Sequence, residues 1–365
     1  MVKIKLIRGE HAGKSQAERL EPYIAQTDVV CVEYPQLDHA KKSEFEAMFT
    51  SAGGPLLASY MDREISATSR LGRYHRTQFQ MIARHKKRVV QLEHTDEKTI
   101  ERWDRIIHRL DDIFAAECAY FCSGKIEESI VLAYNGTRGL LALGTERDGC
   151  ILNYLPQALK TVHQIAGEES RYTITIGTAH DIAAQIATVA QTEVDEVVLP
   201  PTPYRHLGPD VELMNALKRE AASEMLRLAC ARHAAGSVID LLFSDDMLSV
   251  DIARTSRHYA EFVNRNPDMD KADISEFVKA YVIDPISFGI TGRMSMQQMR
   301  DFSQYLGASR MGLKEPEVAA QEITVFLRDN GIDFPRNATD VERMRNLVPS
   351  STQPADPVVR RVMPK

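Results

Sequence analysis

Val2-Lys3-Ile4-Lys5-Leu6-Ile7-Arg8-Gly9-Glu10-His11-Ala12-Gly13 and, after a short gap, Asp28-Val29-Val30-Cys31-Val32-Glu33-Tyr34-Pro35 form the stretch that decides the fold. Val2 to Ile7 alternates apolar and basic residues and then turns continuously apolar, which predicts a strand entering a sheet. The turn Arg8 to Gly13 holds glycines that accept positive φ. Ser15 suits a helix N-cap, and Ala17 to Ala25 reads as a short amphipathic helix. Asp28 to Glu33 is β-branched and apolar, a buried strand stopped by Pro35. The result is a β-α-β unit, whose strands run parallel through a right-handed crossover. His11 then lies just past the carboxyl end of the first strand and Glu33 at the carboxyl end of the second. Open α/β sheets bind ligands at that edge. A lone histidine in a turn is more often a surface residue than a catalyst. A glutamate closing an apolar strand is rarer, because an unpaired buried carboxylate costs free energy. The pair is a candidate site.

At 365 residues the chain can hold a substantial core, either two domains or one with a large helical addition. Its 44% hydrophobic and 26% charged residues are ordinary for a globular protein. A net charge of -6 carries no global footprint for nucleic acid. The five cysteines are odd in number and scattered, and Cys118 and Cys122 (i, i+4) lack the second pair of a metal site. They read as reduced structural thiols, and with no signal peptide or apolar membrane span the expected location is the cytoplasm.

Gln36 to Thr50 is helical in pattern and is broken by Gly53-Gly54-Pro55. Helices are expected through Leu56 to Lys87, where Arg70, Arg73, His75, Arg76, Arg84 and His85 read first as a solvated face. Leaning over the pocket, the same residues would bind an anionic substrate. Arg88 to Glu93 predicts a third strand, again ending in a carboxylate. Thr95 or Asp96 then caps a long helix to about Ala119, with Trp103, Ile106, Ile107, Leu110, Ile113 and Phe114 on its apolar face. Helix continues through Ile126 to Tyr134. Gly144-Thr145-Glu146-Arg147-Asp148 reads as the head of a new helix over Cys150 to His163, where the macrodipole favours the acids. Arg147 is out of place there and needs a carboxylate partner such as Glu146, Asp148 or Glu33, or an anion. Tyr172 to Gly177 repeats the opening design: a strand ends in glycine, His180 follows, and a helix (Ile182 to Gln191) leads to a strand beginning at Glu196. Two such units in one sheet would aim His11 and His180 at one crevice.

These motifs occur in the order seen in the TraB/Tiki superfamily, a group that includes GumN-like proteins and is related to the erythromycin esterases and ChaN-like proteins. The similarity rests on Ile7-Arg8-Gly9-Glu10-His11, Asp28 to Glu33, Val89-Val90-Gln91-Leu92-Glu93, Glu146-Arg147-Asp148 and Ile176-Gly177-Thr178-Ala179-His180, and covers about residues 2 to 200. Gly177 to His180 matches the family's Gly-x-x-His turn. The first turn departs from it, with Arg8 where the family has glycine. The resemblance implies a mixed, largely parallel sheet whose polar residues converge on one cleft. For the Tiki proteins it also implies metal-dependent peptidase activity, and for the erythromycin esterases hydrolysis through a histidine and a glutamate. His11, Glu33 and His180 would hold a divalent ion (Mn, Co or Zn) that acidifies a bound water. Without metal, His11 would be the general base, oriented by Glu33, with Arg147 stabilising the oxyanion. Glu93, Glu146, Gly177 and Arg8 would line the substrate.

Beyond Pro203 the chain reads as helix after helix, over Val211 to His233, Ile252 to Asn264, Ile274 to Val282, Met296 to Leu306 and Pro316 to Asn330. The acids of Pro267 to Asp273 lack the glycine and later ligands of a calcium loop and read as a capped helix start. Met294, Met296, Met299 and Met311 read as core. The expected division is an α/β core over 1–203 with a helical insertion at about 97–135, a helical region over 204–347, and a flexible tail over 348–365. Two functions stand side by side. One is a hydrolase acting on a peptide or small-molecule ester; the other is a binding or regulatory protein on the same fold. No membrane or nucleic-acid partner is expected, and the oligomeric state is not readable.

Overall fold

A computed structural model of the chain describes every residue except 1–3, 10, 12, 35–38, 51–53, 68, 94, 168–169, 178–179, 200–208, 244–246, 266–270, 311–313, 315, 333, 336, 347–356 and 365. It divides into two compact units, the first comprising Met1–Ile106, Ala142–Thr202 and Pro354–Lys365, the second Ile107–Leu141 and Pro203–Gln353.

The first unit is built on a six-stranded sheet of order β3-β2-β4-β1-β5-β6. Its strands are β1 (Ile4–Gly9), β2 (Val29–Val32), β3 (Arg88–Gln91), β4 (Tyr172–Gly177), β5 (Val194–Val198) and β6 (Val358–Val362). The first five are mutually parallel and β6 is antiparallel to β5. Both faces are covered, as parallel sheets require. Along β1, Ile4 and Leu6 join one apolar cluster with Ile174, Ile151, Leu155 and Ile186, while Ile7 joins a second with Val30, Val32, Tyr74 and Phe79. That alternation is the period of two carried into three dimensions.

Several expectations are corrected. The helix expected over Ala17 to Ala25 is two short ones, α1 (Gly13–Glu18) and α2 (Glu21–Ala25), because Pro22 starts a helix but cannot donate within one. Next come α3 (His39–Ala47), α4 (Gly54–Glu64) and α5 (Arg70–Arg84), the last capped by Ser69, whose Oγ accepts from the Gly72 N–H. Asp96 caps α6 (Glu97–Cys122) through Thr99. Trp103 and Leu110 of α6 are buried, but Ile107 is exposed. The largest correction is α7, one continuous helix from Ile126 to Ala166. Gly144 to Asp148 is therefore helix interior, and no macrodipole acts there. Glycines within α7 give up helix propensity for close packing. A methyl on Gly136 would meet Phe114 at 2.7 Å, and one on Gly139 would meet Leu110 at 2.7 Å. After α8 (Ala183–Ala190), the chain returns from the second unit as β6, so the expected tail is in part a strand. Its Arg361 pairs with Glu193 and Asp195, a charge match that holds a sparsely apolar segment at the sheet edge.

The second unit is helical. Besides parts of α6 and α7 it holds α9 (Pro209–Lys218), α10 (Ser223–Phe243), α11 (Met247–Arg254), α12 (Arg257–Arg265), α13 (Lys271–Val278), a π-helical segment at Lys279–Ile283, α14 (Asp284–Thr291), α15 (Met296–Ala308), α16 (Pro316–Asp329) and α17 (Ala338–Asn346). The single helix expected over Val211 to His233 breaks where Glu220 adopts φ 50°, a left-handed conformation that closes α9. Phe121, Val238, Phe243, Ile286 and Phe302 form its core, and Met294 and Met299 are buried in it as expected. The Pro267 to Asp270 acids and Met311 lie outside the described residues. Among the described residues no helix is long and apolar enough to cross a membrane.

Candidate functional site

Strand order places the site. β1 and β4 are neighbours in register, with Gly9 opposite Gly177, so the chain leaves both strands at the same edge. His11 follows the first strand and His180 the second. Glu33 follows β2, which pairs with β4, and Glu93 follows β3, which pairs with β2. The order β3-β2-β4-β1 thus sets Glu93, Glu33, His180 and His11 along one rim, the carboxyl end where ligands of such sheets bind. Arg147 and Asp148 reach the same rim from the interior of α7.

Glu33 is the hub. Its Oε1 lies 3.6 Å from His11 Nδ1, 3.4 Å from His180 Nε2 and 3.4 Å from Arg147 Nη2. Its Oε2 accepts the Gly177 backbone N–H at 2.8 Å. Arg147 binds Glu93 with two donors, Nη2 to Oε2 at 2.9 Å and Nε to Oε1. Such a bidentate pair offsets the cost of burying Glu93, which is fully shielded from solvent. The guanidinium's remaining nitrogen, Nη1, makes no hydrogen bond among the described residues. The other ring nitrogen of His180, Nδ1, meets Asp148 Oδ1. A carboxylate at each ring nitrogen requires both nitrogens to donate, which is the imidazolium form.

The electrostatics follow from these contacts. Burial alone would raise the Glu33 pKa, but His11, His180 and Arg147 hold it well below the carboxylate range. Burial would lower the His180 pKa, yet Asp148 and Glu33 raise it to about 9. His11 is lowered, because burial outweighs the attraction of Glu33. Glu93 is raised by burial against the pull of Arg147. Near neutral pH the rim therefore presents an ionised Glu33, a cationic His180 and a neutral His11.

The site has an aromatic wall as well. Tyr74 stacks on His11 at 4.6 Å between ring centres, His75 meets His11 edge-on at 5.1 Å, and Tyr34 stacks on His75 at 4.0 Å. Arg73, Tyr74 and His75 are all buried, so this part of α5 is not the solvated face expected for it. Arg76, by contrast, binds Asp62 and the Met61 and Ile65 carbonyls. His75 is neutral, its pKa pushed by burial down to about 3.

His11, Glu33, Glu93, Arg147, Gly177 and His180 are brought together, and a methyl on Gly177 would lie 3.6 Å from both the His11 and His180 rings. Arg8 and Glu146 are not part of that contact set. Arg8 pairs with Glu196 at 2.7 Å and Asp181 at 3.0 Å, and Glu146 pairs with Arg102. Sequence reasoning missed Asp148 as the partner of His180, and it missed Tyr74; His75 it named only within the charged segment that would lean over the pocket. The Glu-Arg-Asp run held the first signal, since residues next to each other on a helix point to different neighbours. Among the described residues no group of His, Cys, Asp or Glu side chains is arranged as a metal site. The donor chemistry agrees, because Arg147 already sits on Glu33 and both His180 nitrogens face carboxylates. In this arrangement Glu33 and His180, two of the three residues expected to hold a divalent ion with His11, already spend donor atoms on Arg147 and Asp148. Compared with protein-family models, with curated proteins and with solved structures, the chain finds no match.

Proposed function

We propose that the first unit carries a hydrolase site that activates water without a metal. The supporting observation is that two imidazoles, a guanidinium and a backbone N–H converge on the one carboxylate of Glu33. In this reading Glu33 faces Nδ1–H of His11, so Nε2 of the same ring carries the lone pair and accepts a proton from water as its oxygen adds to a carbonyl carbon. The negative charge that develops on the carbonyl oxygen is met by Arg147 Nη1, which makes no hydrogen bond among the described residues, and by the net charge of the His180 imidazolium, whose two N–H groups stay on Asp148 and Glu33. The proton held by His11 then passes to the departing oxygen or nitrogen, which restores the neutral ring. The substrate is a small molecule or peptide with an ester or amide bond.

The metal-dependent form of this reading rests on the resemblance to the TraB/Tiki group alone. The test is turnover of p-nitrophenyl acetate and of a peptide panel, with metal content measured on the same sample. We expect activity that survives chelation and is lost in Glu33→Gln and His11→Ala. A second reading, a binding protein without turnover, is motivated by Arg8 near the end of β1, where the family has glycine; its side chain is tied to Glu196 and Asp181. Absence of turnover with every substrate, with and without Mn²⁺, Co²⁺ or Zn²⁺, favours that alternative.

A further inference from the structure

The sheet of the first unit has two edges, and the chain treats them differently. At β3, Glu46 of α3 accepts the Gln91 backbone N–H at 2.9 Å, so a side chain closes the ladder there. At the other edge β6 pairs only with β5 among the described residues, and its outward backbone groups meet no further strand. Val358, Val359 and Met363 are 44%, 67% and 60% exposed along it. An uncovered strand of this kind is a template for pairing with another chain. The ladder that β6 already makes shows which pattern it accepts. β6 reads Val358-Val359-Arg360-Arg361-Val362, and its antiparallel partner β5 reads Val194-Asp195-Glu196-Val197-Val198. The register sets Arg361 opposite Asp195, Arg360 opposite Glu196, and valine opposite valine at the other three positions. Opposite charges facing each other across a ladder attract, and like charges repel. Arg361 is matched by Glu193 and Asp195. Glu196, however, is held by Arg8 at 2.7 Å, and the exposed Arg360 makes no ion pair or hydrogen bond among the described residues.

We propose that the outer edge of β6 is an interaction surface for an extended acidic segment of another protein, added to the sheet as a further antiparallel strand. The segment carries two adjacent acids flanked by β-branched residues, the pattern that β5 presents to the inner edge. In this mode of recognition backbone hydrogen bonds supply the affinity and alternate side chains the selectivity. Arg360 takes from the segment the carboxylate that Arg8 holds on the inner side, and the exposed valines are covered by those of the segment. A second copy of this chain fits the edge poorly, because pairing β6 with β6 in register, parallel or antiparallel, sets arginine opposite arginine. The charge that keeps copies apart is the charge that selects an acidic partner.

The probe is a fluorescein-labelled peptide copying Thr192 to Leu199 of this chain, titrated with the full-length protein and followed by fluorescence anisotropy. Saturable binding is expected, and the same peptide with Asp195→Lys and Glu196→Lys should not bind. In the protein, Arg360→Glu should weaken binding of the acidic peptide by about tenfold or more. It should also gain binding of the lysine peptide, a swap that a misfolded variant cannot produce. Only alternate residues of an added strand direct their N–H groups at β6. N-methylation of one alternate set should therefore abolish binding, and N-methylation of the other set should leave it. No saturable binding overturns the proposal, as do equal effects of the two N-methylated sets or indifference to Arg360→Glu. A concentration-dependent mass of the wild type that Arg360→Glu alters overturns it in favour of a second copy.

Discussion

Glu33 and Glu117 are both buried carboxylates that face a histidine, and they occupy the two units of the chain. Glu117 sits in the helical unit, fully shielded, with His233 Nδ1 2.7 Å from Oε1. Its neighbourhood is apolar, with Phe114 beside His233, and its Oε2 has no partner among the described residues. That is a histidine–carboxylate contact in a helical core, a device that ties α6 to α10. Glu33 instead gathers two histidines, an arginine and a backbone N–H, and its partners His11 and Arg147 keep part of their surface in solvent. A buried histidine–carboxylate pair is thus not a site by itself. Several groups converging, with different protonation states and an opening to water, are what separate the rim of the sheet from the core of the helices.

The sharpest way to break that comparison is to remove each carboxylate's role in turn. Glu33→Gln should lower turnover by about 10³-fold, because the hub that orients His11 and holds His180 cationic is gone. Steady-state kinetics check this, and unchanged turnover would put Glu33 in the same class as Glu117. His233→Ala leaves Glu117 buried and unpaired and should cost about 3–5 kcal/mol of unfolding free energy in urea. Folded His233→Ala protein should keep its kinetics at the rim.

The next effect is on pH. His11 must be neutral to act as base, and its pKa is lowered, so activity should rise through a value below the usual 6.5. His180 must be charged, so activity should fall as pH passes about 9. The sign for stability is the same on the alkaline side. The His180 pKa is raised on folding, so its contribution is complete below the unfolded value and lost as pH rises through about 9. Asp148→Asn should move the alkaline limb down by about one pH unit, worth ~1.4 kcal/mol, and leave the acid limb in place. The smallest effect belongs to Asp181→Ala. The Asp181 side chain is 82% exposed, so loss of its contact with Arg8 should change unfolding free energy by less than about 0.5 kcal/mol. A larger loss would mean that Arg8 helps to shape the rim.

Much of the α/β unit was legible because period-two apolar runs and their terminating residues are local. Val29 to Val32, Val89 to Gln91 and Tyr172 to Gly177 each fall within the stretches read as strands. The error at Gly144 to Asp148 was also local in origin. Glycines look like breaks until the side chains that pack on them are known, and Phe114 and Leu110 come from another helix. Asp148 was missed for the same reason, since its partner lies 32 positions away. β6 escaped notice because a short strand of mixed Val and Arg acquires its identity only from the edge it joins.

From its residues alone the chain specified parallel strands that end in chemistry-bearing side chains, since alternation, β-branching and proline act within a few positions. Which of those ends lie side by side is a matter of strand order, and strand order is set by helices packing on both faces of the sheet. The protonation states of His11, His75 and His180 belong to the tertiary structure as well. Three rings with one intrinsic pKa are separated only by burial and by the carboxylates that folding places beside them.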